Sequence, residues 1–140
     1  HIPAPSPKSI AKVVCQVEKI ATNNAPAAVG PYCQAIKSNG FIFVSGQLPI
    51  DTGSGKLLEG SIADQTDCIM NNISEILREA GSGLHKIVKT TILAKDLTKF
   101  QEINEAYGRF FKGTPPARAC CQVAELPKNA ELEIEVICEA

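Results

Sequence analysis

Between positions 61 and 80, Ile62, Thr66, Ile69, Met70, Ile73, Ile76, Leu77 and Ala80 recur at three- and four-residue spacing. That period predicts a helix with one apolar face. Ser61 and Asp64 read as its capping box, with Asp in place of the usual Glu or Gln, and Gly81 as its stop. A second helix is predicted from a cap at Thr98 and Gln101, with Phe100, Ile103, Tyr107, Phe110 and Phe111 as its stripe. Asn104 lies one turn from Phe100, beside that stripe.

The remaining apolar runs are short and read as strands. They fall at Gln16 to Ile20, Cys33 to Ile36, Phe41 to Val44, Ile87 to Leu93, Ala117 to Val123 and Glu131 to Glu139. Asn39-Gly40 predicts a tight hairpin turn, since both residues tolerate positive φ. Phe41 to Val44 is apolar without alternation, which predicts burial on both faces. The last strand alternates cleanly: Leu132, Ile134, Val136 and Cys138 share one face, while Glu131, Glu133, Glu135 and Glu139 share the other. Two helices packed on one face of a sheet leave its other face to water or to a partner subunit. A glutamate covered by a partner would be desolvated, which raises its pKa toward general-base range.

Pro115 and Pro116 end the second helix and force an extended path into an apolar run that reads as a buried strand with Arg118 at its mouth. A guanidinium there is a planar fork of donors matched to a carboxylate. Taken alone, Arg118 reads as one half of a structural ion pair.

The 140 residues fit one domain, 15–140, preceded by a flexible extension at 1–14 with three prolines and no acidic residue. A processed end, an artificial remnant or a trimmed transit peptide would each account for that extension. The formal net charge of −1 comes without a basic stripe, which argues against a nucleic-acid surface. No apolar run reaches the roughly 18 residues of a membrane span. Six cysteines show no CxxC spacing and only His1 and His85 accompany them, so no zinc site is expected. Free cysteines in apolar runs suit a reducing, cytoplasmic setting, or an organelle if the extension is a transit-peptide remnant. Asp51-Thr52-Gly53-Ser54 and Gly53-Ser54-Gly55-Lys56 superficially match an aspartic protease signature and a phosphate loop; both read as turn chemistry. The sequon at Asn72 falls inside the first helix.

Six stretches in order carry a resemblance. They are Ala25-Pro26-Ala27-Ala28-Val29-Gly30-Pro31-Tyr32, Ser45-Gly46-Gln47, Val88-Lys89-Thr90-Thr91, Pro116-Ala117-Arg118, Val123-Ala124-Glu125-Leu126-Pro127 and Glu131-Leu132-Glu133-Ile134-Glu135. With the order β-β-β-α-β-α-β-β, they resemble the reactive intermediate deaminase (RidA/YjgF) family over nearly the whole chain after Val17. The resemblance implies a chorismate-mutase-like α+β fold, with a mixed, mainly antiparallel sheet and both helices on one face, in a homotrimer with sites between subunits. It implies hydrolysis of enamines and imines such as 2-iminobutanoate and 2-iminopropanoate to 2-keto acids and ammonia, without cofactor or metal. Such substrates are released by pyridoxal-phosphate enzymes such as threonine dehydratase. By position it assigns carboxylate binding to Arg118, water positioning to Glu133 and the backbone carbonyl of Cys120, and pocket contacts to Tyr32, Ser45, Gly46 and Asn104. The alternatives are a regulatory trimer that binds a carboxylate metabolite, and a translation inhibitor with endoribonuclease activity.

Overall fold

Eight residues close to the C-terminal end, Leu132–Glu139, form the strand around which the sheet is assembled. The computed structural model describes residues 2–3 and 17–140; Cys15, Gln16 and most of the extension read at 1–14 lie outside them. In chain order the strands are β1 (Glu18–Ile20), β2 (Ala35–Ser38), β3 (Phe41–Gln47), β4 (Ile87–Ala94), β5 (Ala117–Gln122) and β6 (Leu132–Glu139). Helix α1 (Ile62–Glu79) joins β3 to β4, and α2 (Phe100–Gly108) joins β4 to β5. The spatial order is β1-β2-β3-β6-β4-β5, antiparallel throughout except for the parallel pair β4–β5.

The alternation in β6 is realised as read. Leu132, Ile134, Val136 and Cys138 are buried against Ile69, Met70, Ile73, Ile76 and Leu77 of α1, with Ile42, Val44 and Ile92 from neighbouring strands on the same face. Both parts of the α1 capping box form: Asp64 N–H donates to Ser61 Oγ at 3.0 Å, and Ser61 N–H to Asp64 Oδ2 at 3.3 Å. At the other end Gly81 adopts φ +81°. Its N–H reaches Arg78 O at 3.0 Å while Ser82 N–H reaches Leu77 O at 2.8 Å, which is a Schellman closure. Asn39 and Gly40 take the positive φ angles expected of the β2–β3 hairpin.

The structure corrects several expectations. In β3, Ile42 and Val44 are buried but Phe41 and Phe43 are 40% and 46% exposed. Both helices pack on one face, so among the described residues no helix covers the other, and Phe41 and Phe43 stay open there. The β5 run is an edge strand paired only with β4 rather than a buried one; only Cys120 packs into the core. The first two strands are Glu18–Ile20 and Ala35–Ser38, offset from the runs read in the sequence. The second helix is not capped by Thr98. Asp96 Oδ1 accepts from Thr98 N at 3.0 Å and from Thr98 Oγ1 at 2.6 Å, opening a 3-10 turn, Leu97–Lys99, that runs into α2. A carboxylate is the stronger acceptor for those orphan amides. Phe110 and Phe111 lie just past α2 in a turn, although both still pack on the core.

Candidate active site

The assigned residues fall into two groups. The first surrounds an irregularity in β3: Val44 pairs with Val136 and Gln47 with Ile134, so Ser45 and Gly46 together face Glu135 alone. Such a bulge re-aims the backbone beside it. Gly46 is pressed so close to β6 that a Cβ there would lie 2.7 Å from Glu133 Cδ. Ser45 Oγ donates to Cys33 O at 2.6 Å, which ties the bulge to the segment before β2. Tyr32 stands on that segment, half-exposed, with its hydroxyl accepting from Val29 N–H at 3.2 Å. These residues line a cavity of about 330 Å³, walled by Pro26, Val29, Leu48 and Ile50 and bearing Glu133, Glu135 and Lys128 as its acidic and basic side chains. Burial, and secondarily the charge of Glu135, pushes the Glu133 carboxyl above the usual glutamate range. A shift in that direction strengthens the carboxylate as a base.

The second group lies on the helix-covered face. Arg118 is in register with Thr90 and its side chain turns toward α2, where Nη1 donates to Asn104 Oδ1 at 2.7 Å. Its Cζ sits 5.3 Å from the ring centroid of Phe100 and 5.2 Å from that of Tyr107. The ion pairs among the described residues are Lys37–Glu18, Arg78–Glu75 and Arg109–Asp67, and Arg118 belongs to none. The structural ion-pair reading of Arg118 therefore fails. Cys120 shares this face, and burial raises its thiol pKa against the lowering effect of Arg118. A protonated, inward-turned thiol leaves its backbone as the part available for chemistry.

The sequence places Arg118 and Glu133 on successive strands, but in the sheet β4 lies between β5 and β6. They also face opposite sides. Arg118 shares the side of buried Thr90, whereas Glu133 lies between buried Leu132 and Ile134 and points away from the helices. One protomer brings Tyr32, Ser45, Gly46 and Glu133 together, and Asn104, Arg118 and Cys120 together, but does not join the two sets.

Sequence reasoning missed Gln34. This side chain is buried, accepts from Thr22 N–H at 2.7 Å, and donates to Thr22 O at 3.1 Å and Pro26 O at 2.8 Å. It pins the segment that forms one cavity wall, and its one signal was a polar residue set among Cys33, Ala35 and Ile36. Lys128 was missed too. It takes φ 58° beside Asn129 at 56°, a left-handed pair without glycine at the cavity edge. Asp51-Thr52-Gly53-Ser54 is a turn, with Ser54 N–H donating to Asp51 Oδ2 at 2.9 Å. Asn72 is buried in α1 and bonded to Ile50 O. Among the described residues no three His, Cys, Asp or Glu side chains gather as a metal site, and no helix is long and apolar enough to cross a membrane.

A six-stranded mixed sheet with two helices on one face, and a bulge-built cavity on the other, defines an α+β protein of the Rid type. The family described as endoribonuclease L-PSP matches residues 22–140, and the chain belongs to that family, which includes the Rid (RidA/YjgF) proteins. It is 49% identical to the RutC family protein y4sK of Sinorhizobium fredii, across 86% of this chain and 96% of that one. It is 43% identical to the 2-iminobutanoate/2-iminopropanoate deaminase of Homo sapiens, across 84% and 86% respectively. The crystal structure of YyfA from Yersinia pestis, a Rid family protein, superposes with a TM-score of 0.87 at 44% identity, covering 89% of this chain and all of that one.

Proposed function

We propose that this protein hydrolyses small 2-imino acids, of the class of 2-iminobutanoate and 2-iminopropanoate, to 2-keto acids and ammonia. It does so as a homotrimer with each site shared between two protomers. The observation that carries the reading is the split of the assigned residues between two faces of one sheet, which a second copy of the chain would reunite. The exposed Phe41 and Phe43 on the open face support such a contact.

In this scheme the free donors of Arg118 grip the substrate carboxylate while Asn104 holds the guanidinium. Glu133 of the neighbouring protomer, with the Cys120 carbonyl, holds a water against the iminium carbon. As the water's oxygen bonds to carbon, Glu133 takes its proton and the C=N double bond becomes a single bond. Glu133 then returns that proton to nitrogen. Ammonia departs as the C–N bond breaks and the C–O bond becomes a double bond; the hydroxyl proton passes to the again-ionised Glu133, and the keto acid remains. An iminium carbon is already electrophilic, so positioning and a general base suffice. RNA cleavage is less well supported, since the cavity sets two carboxylates against Lys128 alone, a poor lining for a phosphate backbone.

The test is keto-acid release in a coupled threonine dehydratase assay with semicarbazide competing for the imine. Wild type should outcompete the trap, and Arg118→Ala should lose about 100-fold or more of the activity, the scale of a positioning contribution. A wild-type chain that binds 2-oxobutanoate yet does not accelerate release would instead indicate a carboxylate-binding regulator.

A further inference from the structure

Arg118 is largely exposed on an edge strand, a position where an arginine ordinarily samples many rotamers. Here it is confined. Phe100, Asn104 and Tyr107 are spaced four and three residues apart, so α2 offers it a ring, an amide and a second ring along one stripe. The amide oxygen accepts from Nη1 and the two rings lie about equally far from Cζ. Nη2 and Nε donate to no acceptor among the described residues.

The ring nearer the core is itself fixed. Tyr107 is 5% exposed and its hydroxyl bonds Thr90 Oγ1 at 2.8 Å, while Phe111 packs 4.8 Å from its ring. Thr90 is fully buried on β4, directly in register with Arg118 on β5. The Tyr107–Thr90 bond therefore couples α2 to the strand position beside Arg118. Burial raises the Tyr107 pKa, which keeps the ring a neutral phenol.

We propose that Tyr107, held by Thr90 and assisted by Phe100, is a positioning residue that sets the Arg118 guanidinium for the substrate carboxylate. This rests on the reading of Arg118 as the carboxylate anchor. A guanidinium lying on aromatic rings keeps its plane and its charge while losing rotamer freedom before the substrate arrives, so less is lost on binding. The carboxylate is held equally in ground and transition states, so disturbing the seat weakens binding and spares the chemical step.

The experiment compares Tyr107→Leu, Tyr107→Phe, Phe100→Leu and Arg118→Ala in the full chain. Affinity is read with 2-oxobutanoate as the probe and turnover with saturating 2-iminobutanoate. Tyr107→Leu should weaken 2-oxobutanoate binding about tenfold while turnover stays within about twofold, and Tyr107→Phe, which keeps the ring, should recover most of the affinity. Binding lost at kept turnover, with rescue by the ring-conserving Tyr107→Phe, is a signature that a purely structural tyrosine would not produce. Should Tyr107→Leu fail to fold, Phe100→Leu at the surface carries the test, with an expected loss of about threefold. Unchanged 2-oxobutanoate affinity in folded Tyr107→Leu or Phe100→Leu, with binding lost in Arg118→Ala, overturns the positioning role alone. Undiminished binding in Arg118→Ala overturns the anchor reading beneath it.

Discussion

Arg118 and Glu133 stand on opposite faces of one sheet with β4 between their strands. If they act on one substrate, they come from different chains. In the proposed trimer, Arg118→Ala and Glu133→Gln should each be inactive alone and regain activity when mixed during refolding. Random equal mixing rebuilds about a quarter of the intact sites in a cyclic trimer. Keto-acid release from the mixed sample is the measurement, and recovery indistinguishable from zero would count against sites shared in this way.

Gly46 gives a sharper probe of the same cavity. Its backbone is not in the left-handed region, so alanine fits the chain, but the added methyl overlaps the Glu133 carboxylate. The flexible end of Glu133 gives way rather than the backbone. Gly46→Ala should leave the melting temperature within a degree or two of wild type yet cost about 10–100-fold in kcat/KM, within the range a displaced general base forfeits.

The raised pKa of Glu133 has two readouts. The fold holds this proton more tightly than the unfolded chain does. Its contribution therefore favours folding fully below the ordinary glutamate range and is lost as pH rises through the raised pKa. Activity runs the other way, because a general base must be ionised; the acidic limb of kcat/KM should rise through that same window. Glu135→Gln removes the lesser of the two causes, so this limb should move partway toward lower pH. A pH–rate profile superimposable on wild type would remove Glu135 from the account.

Stability away from the site can be tested at the start of α1. Ser61→Ala breaks the capping box and should destabilise the protein by about 1 kcal/mol in urea unfolding, with deaminase activity unchanged. A loss of activity beyond that expected from unfolding would tie α1 to the site in a way its position does not suggest.

Much of this architecture could be read from local pattern. The α1 period, Ser61, Gly81, Asn39-Gly40 and the alternation of β6 each specify one backbone state by short-range physics, and each formed as expected. Phe41 and Phe43 were misread because an apolar run does not say whether its second face is covered by the same chain. The cap of α2 was misread because Asp96, two residues upstream, outcompeted Thr98. Motif positions named residues for the site, and the structure gathers them into two groups. What the sequence concealed was sheet order: β6 inserts between β3 and β4, so neither β3 and β4 nor β5 and β6, consecutive in the chain, are neighbours. That depends on long-range pairing, and so do the Gln34 clasp and the Tyr107–Thr90 bond.

The central place of β6 also bears on biosynthesis. During translation β3, α1, β4 and α2 emerge before the strand that must lie between β3 and β4. Until residues 132–139 clear the ribosome, the flanking strands lack their shared neighbour and the apolar face of α1 lacks part of its partner surface. Formation of the sheet is thus deferred to the end of synthesis, and a nascent chain stalled before Leu132 would be a natural client for chaperones that shield exposed apolar surface.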